Sequence, residues 1–539
     1  MEYEFLLDYR ALDTEAEIFW DLPLDADPSY EYLIFLGQNH VGSTKKTHFT
    51  LSGLSPDCIY DIEIKMFKKP ADGSIPKHIS LGRIEVHTSK EKELIDVTKS
   101  PYNAVGDGST MNTKALQAAL DACDSEHIVF FPEGTYLTGA LDVHSDTEIC
   151  LAKRALLQGT EDPSDYLPKI HSRFEGHEME CYRSLLNLGE LDHNASYNCE
   201  NVIIRGEGSI MGGGAPLAKA IAKIEGERLK DYIASLGDKI KEYEKPETIA
   251  SRFRGRLINM SNCRNIWIHG LTLGFAPSWN LHFIYSDSVV TDHCTLKSEG
   301  VWNGDGWDPD SSTNSTLYAC DFYTEDDSVA IKSGKNPEGN VINRPTKHIR
   351  VFDSICHFGH GLCIGSEMSG GVEDVRLWDC DMGPTWSGIE IKATKKRGGY
   401  VKNILVRDIT ASHIQMHSVG YNDDGEGSKV PPILSDCCFE RMHLLGRFLD
   451  NNAGRNEWHD CPSILLCGFD VPGYEIKNIE FNDIEMEDID GRTLNSEGIV
   501  SNEMLEKFTG KCDSENENIH TEYCENLKFE NLKLVPRNS

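Results

Sequence analysis

Short stretches of alternating apolar and polar residues fill the first 89 positions of the chain. Glu15–Trp20 and Tyr60–Ile64 are two examples, and turn-forming residues separate stretches of this kind. Such alternation, with β-branched and aromatic residues, is typical of strands that bury one face. Several strands at close spacing predict a small β-sandwich over residues 1–89.

A second pattern begins at about residue 98, where short segments of the form Asn-Ile-x-Val are each followed by a polar turn. Copies of this segment lie at residues 201–204, 265–268, 348–351, 374–377, 403–406, 478–481 and 526–529. Ile349, Val375 and Ile404 occupy matching positions and lie 26 and 29 residues apart. One copy cannot bury its apolar face alone, but stacked copies cover each other. The sequence therefore predicts an all-β chain in which residues 98–539 form one right-handed parallel β-helix.

Two segments interrupt the strand pattern with helical spacing. Asn112–Cys123 places Ala115, Leu116, Ala119 and Leu120 on one helical face, which predicts a helix that caps the first coil. Leu217–Tyr243 is rich in Ala, Lys and Glu, which predicts an inserted helix. This insert either walls one end of a cleft or decorates the surface.

The charge balance narrows the classes of partner. The 539 residues include 87 acidic and 53 basic ones, for a net charge of −34, which argues against binding nucleic acid through a basic surface. No apolar run approaches the ~18 residues of a membrane span. Met1–Phe5 lacks the basic start of a secretory signal, so we expect a cytoplasmic protein.

Cysteine usage points to the same compartment. Seventeen cysteines are scattered between Cys58 and Cys524 without any C-x-x-C pair. This scatter favours reduced cysteines that pack as small hydrophobes over a disulfide framework or a zinc site. We accordingly expect no metal and no cofactor.

One motif in the first 89 residues resembles a known module. The stretch from Leu54 to Tyr60 has the order Leu-x-Pro-x-x-x-Tyr, and Trp20 lies earlier in the chain. This arrangement resembles the corner of fibronectin type III domains, in which a buried tryptophan fills the core. The resemblance implies a fibronectin type III-like sandwich over residues 1–89.

The densest group of acidic residues spans positions 303–310 and continues one coil later at 324–335. Stacked coils place matching strand positions ~4.8 Å apart, so Asp305 is expected close to Asp326 and Asp327. Like charges at this distance raise at least one carboxyl pKa, which provides a protonated acid beside an ionised base. His360 lies between two glycines one coil further along.

These motifs resemble the polygalacturonases, family 28 of the glycoside hydrolases. The family's motifs are Asn-Thr-Asp, Gly-Asp-Asp, Gly-His-Gly and Arg-Ile-Lys, in that order. The chain has the following four segments in the same order: Asn303-Gly304-Asp305, Glu325-Asp326-Asp327, Gly359-His360-Gly361 and Glu390-Ile391-Lys392. The resemblance extends over most of residues 98–539 and implies an enzyme that cleaves pectic oligosaccharides.

The resemblance also implies roles for individual residues. Asp326 would be the general acid, and Asp305 and Asp327 would hold and deprotonate the attacking water, which makes the reaction an inverting hydrolysis. His360 would tune the carboxylates through hydrogen bonds. Lys392 would pair with the substrate carboxylate at the cleaved sugar.

Further polar residues are assigned to the substrate with less direct support. Asn303 belongs to the first motif and is assigned to substrate binding. Lys332 and Lys335 either contact the substrate or balance the acidic surface. Lys395–Arg397 is either a solvated loop or an electropositive rim of the cleft, which an acidic substrate would need in a chain of such negative charge.

Glu390 departs from the family pattern. The family's arginine at this position is expected to meet a uronate carboxylate, which a glutamate would repel. The acids are intact, so the chemistry should survive. The resemblance implies an exo-acting release of α-linked galacturonate, and a neutral sugar such as rhamnose on the leaving side is the alternative.

Two other classes of protein are also compatible with the sequence. A pectate lyase has the same β-helix but eliminates with Ca²⁺ and an arginine base, which the order of the Asp and His motifs disfavours. A non-catalytic solenoid that only binds carbohydrate is the other. The sequence leaves the oligomeric state open.

Overall fold

The computed structural model describes residues 5–68, 77–450, 456–487 and 518–537. They form two compact units, one containing the described residues up to Leu94 together with Ser125–Ile128, and one containing Ile95–Asp124 and the described residues from Val129 onward. None of the described helices combines the length and the apolar character that a membrane span requires.

The first unit is a small sandwich of antiparallel strands. Its two sheets contain the strands Leu7–Ala11, Glu15–Trp20 and His48–Ser52, and Asn39–Thr44, Tyr30–Leu36, Ile59–Lys68 and His78–His87. Trp20 is fully buried with Tyr32 and Ile64 in one apolar cluster. The Tyr60 hydroxyl accepts a hydrogen bond from the Ser55 backbone N–H at 2.7 Å. The fibronectin type III resemblance stays a prediction for this unit.

The second unit is the predicted right-handed parallel β-helix, in which the described residues form three parallel sheets with the strands counted below. Sheet 1 has 14 strands: Glu93–Asp96, His127–Phe131, Glu148–Leu151, Cys199–Gly206, Cys263–His269, Asp287–Asp292, Thr313–Tyr318, Thr346–Phe352, Val372–Trp378, Tyr400–Ala411, Ile433–Leu444, Ile476–Glu487, Cys524–Glu530 and Lys533–Val535. Sheet 2 has eight: Asp107–Met111, Gly134–Thr138, Ala155–Gly159, Ser209–Met211, Thr272–Gly274, Thr295–Lys297, Asp321–Tyr323 and Ile355–Phe358. Sheet 3 has 11: Leu141–Val143, Leu186–Leu188, Ile258–Ser261, Leu281–Ile284, Trp307–Asp310, Asp327–Ile331, Gly361–Ile364, Ile389–Ala393, Ile414–Ser418, Ile464–Cys467 and Ile519–Glu522.

The Asn-Ile-x-Val segments are sheet 1 strands in register. Ile349 pairs with Val375, and Val375 pairs with Ile404, as their spacing predicts. The residue before each apolar position takes a left-handed backbone, with φ of 58° at Asn201 and 56° at Asn265, a conformation that Asn tolerates better than most residues. The Asn265 side-chain amide donates to Asn201 Oδ1 at 2.8 Å. The repeat therefore encodes an asparagine ladder along the solenoid.

Shorter elements complete the second unit. The predicted cap is confirmed as helix α1, Thr113–Asp121, which buries Leu116, Ala119 and Leu120 against the solenoid core. The predicted insert is confirmed as helix α2, Gly214–Ser235, followed by the 3₁₀ turn Gly237–Glu242 and helix α3, Glu247–Ser251. The remaining elements are the strand pairs Ile170–Phe174 with His177–Cys181 and Arg447–Asp450 with Glu457–Asp460, the 3₁₀ turn Pro163–Tyr166 and helix α4, Glu338–Ile342.

The described cysteines lie mostly in the protein interior. All sixteen of them are free, and most are buried. Several lie in the solenoid interior, where their thiols donate to backbone carbonyl oxygens, as Cys294 does to Asp292 at 3.2 Å. They behave there as small hydrophobes.

Candidate active site

A pocket of about 710 Å³ opens over sheet 3, where consecutive coils contribute side chains to its floor. Asp305, Asp326, Asp327 and His360 all line it. The parallel register explains why these side chains lie close together. Trp307 pairs with Val329, so the residues at the start of neighbouring sheet 3 strands lie at the same edge of the sheet. The predicted acids are therefore neighbours in the structure, although their catalytic roles remain predictions.

Asp326 and His360 form an ion pair at the mouth of this cluster. His360 Nδ1 lies 3.0 Å from Asp326 Oδ1 and 3.4 Å from Asp327 Oδ1. Burial disfavours the charge on His360, but the negative charges of Asp326 and Asp327 outweigh it and raise the His360 pKa well above its usual value. Burial likewise opposes the charge on Asp326, but the His360 charge prevails and lowers the Asp326 pKa. The pair therefore carries one proton, located on the imidazole in the unbound site.

The ligand atoms of Asp326, Asp327 and His360 lie within 4.8 Å of one another, a spacing that also suits a metal ion. The expectation that the site holds no metal stays a prediction.

Lys332 stands between two buried carboxylates. Its ammonium group lies 2.8 Å from Asp305 Oδ2, contacts Asp308 Oδ1, and sits 4.4 Å from the centre of the Trp279 ring. Burial raises the pKa of Asp308 to about 6, and burial together with the neighbouring acids raises that of Asp305 well above its usual value. One ammonium cannot neutralise two carboxylates, so the pKa values of both carboxyl groups stay raised and the pair can share a proton.

Asp305 offers an oxygen to the pocket. Its Oδ1 is buried and has no hydrogen-bond partner in the part of the chain that the structure describes. Asp308 Oδ2 is likewise buried without a partner, and a hydrogen bond with the Asp305 side chain lowers the Asp308 pKa, so a proton on one carboxyl group satisfies the other.

Asp327 is held from three directions. Lys392 Nζ lies 3.1 Å from Asp327 Oδ2, and the Cys363 thiol donates to Asp327 Oδ1 at 2.8 Å. The same thiol lies 3.1 Å from Glu390 Oε2. These contacts fix the orientation of Asp327 opposite His360.

Glu390 is buried and fully engaged. Its Oε2 lies 3.4 Å from Lys392 Nζ, and its Oε1 lies 2.6 Å from His417 Nε2. Burial opposes its charge, but Lys392 and His417 prevail and hold its pKa well below the usual value. The charge of Lys392 is thus already neutralised by Asp327 and Glu390.

The remaining candidates differ in position. Asn303 lines the pocket and accepts a hydrogen bond from the Arg254 guanidinium at 2.6 Å. Lys335 is completely buried, outside the residues that line the pocket, and its ammonium group pairs with Asp424. This position gives no support to direct substrate contact by Lys335.

The structure gives no support to the alternative of an electropositive rim at Lys395–Arg397. Arg397 is completely buried and donates to Asn336 Oδ1 at 2.7 Å. Lys396 lies 3.7 Å from Asp423 and 3.6 Å from Glu242. The Arg397 guanidinium is used for internal hydrogen bonds, and the Lys396 ammonium group has two acidic neighbours. These two residues therefore offer little positive charge to a substrate.

Two segments of the chain match models of known protein families. Residues 196–426 match the model of Glycosyl hydrolases family 28, and residues 96–150 match that of Rhamnogalacturonase A/epimerase, pectate lyase-like. A "Probable polygalacturonase" of Vitis vinifera is 32% identical over 57% of this chain, and the "Exo-poly-alpha-D-galacturonosidase" of Dickeya chrysanthemi is 27% identical over 62%. The chain spans only 59% and 57% of the lengths of these two relatives.

A solved structure supports the fold over the whole chain. The family 28 exopolygalacturonase of Yersinia enterocolitica superposes with a TM-score of 0.75 at 21% identity, covering 99% of this chain and 97% of that one. The chain is similar to glycosyl hydrolase family 28 over residues 196–426. Its candidate acids and His360 fall inside the matched segment 196–426.

The pocket over sheet 3 contains residues that the motifs did not indicate. Gln415 and His417 lie on the coil after Glu390 and Lys392, with Glu390 paired to Gln415 and Lys392 paired to His417. Only the register of sheet 3 reveals them, because the strand Ile414–Ser418 lacks any family motif. Gln415 Oε1 is buried without a hydrogen-bond partner among the described residues.

The insert closes one side of the pocket. We call residues Glu242–Lys245 the strap. Its Glu242 carbonyl accepts from the Asp423 backbone N–H at 2.9 Å, and the Glu244 N–H donates to Asn422 Oδ1 at 3.0 Å. Glu244, Lys245 and Asn422 line the pocket, so the insert reaches a loop that follows the strand Ile414–Ser418.

Proposed function

We propose that this chain is a member of glycosyl hydrolase family 28 and an inverting glycoside hydrolase that releases terminal α-linked galacturonate from pectic oligosaccharides. The observation that carries the proposal is the Asp326–His360 ion pair beside Asp305 and Asp327 in one pocket. A proton donor and proton acceptors within one pocket are what hydrolysis of a glycosidic bond requires.

In the proposed reaction, the Asp326–His360 pair supplies its proton to the glycosidic oxygen through Asp326. A water molecule attacks the anomeric carbon from the opposite face, and its proton passes to Asp327 or Asp305. The bond between the anomeric carbon and the leaving oxygen breaks as the new bond to water forms. Inverting enzymes usually hold acid and base about 6.5–9.5 Å apart, which leaves room for the water. Oxygens of Asp326 and Asp327 lie within 4.8 Å of each other in this site, so the anomer of the first product tests the proposed inversion.

Exo action is supported by the strap. A groove open at both ends accepts internal segments of a polymer, whereas a pocket closed on one side accepts a chain end. The hydrogen bonds from the strap to Asn422 and Asp423 close this side of the pocket. The name of the Dickeya chrysanthemi relative points in the same direction.

The test is product analysis on trigalacturonate with the wild type and with Asp326→Asn. We expect galacturonate and digalacturonate as first products of the wild type, and almost none from the variant. An unsaturated product that absorbs in the ultraviolet would indicate a lyase. Binding without any turnover by the wild type would indicate a carbohydrate-binding solenoid.

A second candidate substrate has a neutral sugar, such as rhamnose, on the leaving side. Glu390 favours it, because this carboxylate lines the pocket and neutralises Lys392, which would otherwise attract a uronate. Glu390→Arg tests this on digalacturonate and on galacturonosyl-rhamnose, with Glu390→Gln as the uncharged control. Loss of activity only on the rhamnoside supports the neutral sugar, whereas a gain on digalacturonate supports the uronate.

We further propose that the protein acts in the cytoplasm on imported oligosaccharides. The sixteen free cysteines of the described residues are typical of a reducing compartment. Cell fractionation with an antibody against the chain tests this proposal, and recovery from the medium or the envelope would contradict it.

A further inference from the structure

A second cavity of about 650 Å³ lies beside the candidate active site, between helices α2 and α3. We call it the helix chamber. Lys245, Gly300 and Trp302 line both the helix chamber and the pocket over sheet 3. The two cavities are therefore adjacent, and each lies in the range of about 300–1,000 Å³ typical of sites for small molecules.

Small side chains create this space. The α2 residues that line the chamber recur three and four positions apart, which places them on one helical face. They are Ala215, Ala218, Lys219, Ala222, Lys223, Gly226 and, seven positions further along, Ile233. Pro246 and Ala250 lie on the opposite wall. Larger residues on this face would fill the volume.

The chamber concentrates positive charge in a chain of net charge −34. Lys219, Lys223, Lys245 and Arg254 line it, against a single acid, Glu247. In the described part of the chain, no carboxylate lies within ion-pair distance of Lys219 or Lys223. The other basic residues of the same helix differ, because Arg228 pairs with Glu225 and Lys230 pairs with Glu227.

An aromatic ring adds a surface for a sugar. Trp302 forms part of the wall, with Lys245 Nζ 3.4 Å from the ring centre and the Arg254 guanidinium carbon 4.9 Å from it. A flat apolar ring beside cations offers both contact area and charge to an acidic sugar. Neutral sugars would use only the first of these.

We propose that the helix chamber is a second binding site for a carboxylate-bearing sugar, with free galacturonate as its occupant. The inference rests on the proposed function, which makes galacturonate the released product. Charge complementarity selects the carboxylate, Trp302 accepts the ring, and the shared wall puts the chamber next to the place of release. Galacturonate held there would be retained beside the pocket after cleavage.

The experiment is calorimetric titration of the full-length protein with galacturonate, which the enzyme cannot cleave further. The double variant Lys219→Gln/Lys223→Gln removes the two unpaired charges, and Ala222→Trp fills the cavity. Lys230→Gln is the matched control, since it removes an ion-paired lysine from the same helix. Lys392→Gln marks the site in the pocket over sheet 3.

We expect two classes of site in the wild type and in Lys230→Gln. The double variant and Ala222→Trp should each weaken one class by about tenfold or more, and Lys392→Gln should weaken the other. Galactose should bind the chamber at least about tenfold more weakly than galacturonate. A single class of site, unchanged binding in the double variant, or equal affinity for galactose would overturn the proposal.

The outcome is separable from that of the proposed function. Turnover of trigalacturonate is measured in parallel, and the double variant should keep the wild-type kcat because neither lysine lines the pocket over sheet 3. An inactive wild type would refute the proposed function while the titration still decides the chamber. A fully active wild type with one class of site would refute only the chamber.

Discussion

Asp326 and His360 share one proton, and their pKa values move in opposite directions because of each other. Burial alone would favour neutral forms of both groups, but the ion pair at 3.0 Å keeps both charged. Asp305 and Asp308 differ, because two carboxylates compete for Lys332 and their pKa values rise. The site therefore contains one ionised carboxylate, Asp326, which is paired with a cation, and two carboxyl groups, Asp305 and Asp308, which can share a proton.

Asp326→Asn should affect substrates according to their leaving groups. With trigalacturonate, kcat should fall by about 10²–10⁴, since the proton donor is lost. An aryl galacturonide with an acidic phenol needs no such proton, so its hydrolysis should fall by less than about tenfold. Asp327→Asn should slow both substrates equally. Equal losses for Asp326→Asn on both substrates would assign the acid to another residue.

His360→Gln should shift the pH profile of kcat. The pair is protonated below the raised pKa of His360, so wild-type activity is lost as the pH rises through that value. Without the imidazolium, Asp326 alone holds the proton, and a carboxyl releases it at a lower pH. The alkaline limb should therefore move to lower pH. The control is His357→Gln, which removes a histidine paired with Asp321; an unmoved limb in His360→Gln would contradict the shared proton.

Several site residues were predictable because each stands in a short motif of its own coil. Asp305, Asp326, Asp327 and His360 meet because stacking carries successive coils to one edge. Gln415 was not predictable, since its strand has no motif and only its pairing with Glu390 puts it in the pocket.

The assignment of Lys335 shows the opposite limit. It follows Lys332 by three residues, yet it is buried against Asp424 of a distant loop while Lys332 lies in the pocket. Two residues that are close in sequence can therefore point to different sides of a coil once the chain has left the strand.

At the scale of elements, the asparagine ladder explains why the repeat is visible in the sequence. Each coil needs an apolar strand position, which packs inward, and a preceding residue that accepts a left-handed backbone. Both requirements are local, so they leave a short motif at Asn201, Asn265 and Asn478. The strap leaves no such trace, because its partners Asn422 and Asp423 lie about 180 residues away along the chain.

Asn265→Ala should destabilise the solenoid by about 1–3 kcal/mol, since it combines left-handed strain with loss of a ladder hydrogen bond. Asn265→Gly removes the hydrogen bond but tolerates the backbone, whose φ is 56°. The denaturation midpoint in urea should therefore fall further for Ala than for Gly. A larger loss for Gly would show that backbone strain is not the main cost at this position.

At the scale of the whole molecule, the solenoid turns separate motifs into one site. A coil contributes only a few side chains to the pocket, so the pocket needs several coils in register, from Trp279 to His417. The sequence repeat was therefore enough to predict the fold class. The shape of the pocket was not predictable from the repeat, because the inserted helices that border the pocket are not part of it.

The anomeric configuration of the first sugar released tests the central claim most directly. Proton NMR of trigalacturonate during the first minutes of reaction distinguishes the anomers before they equilibrate. Inverting hydrolysis of an α-linkage by Asp326 and its neighbouring acids predicts that the β anomer of the released terminal galacturonate appears first. Initial release of the α anomer, or of an unsaturated uronate, would contradict the account.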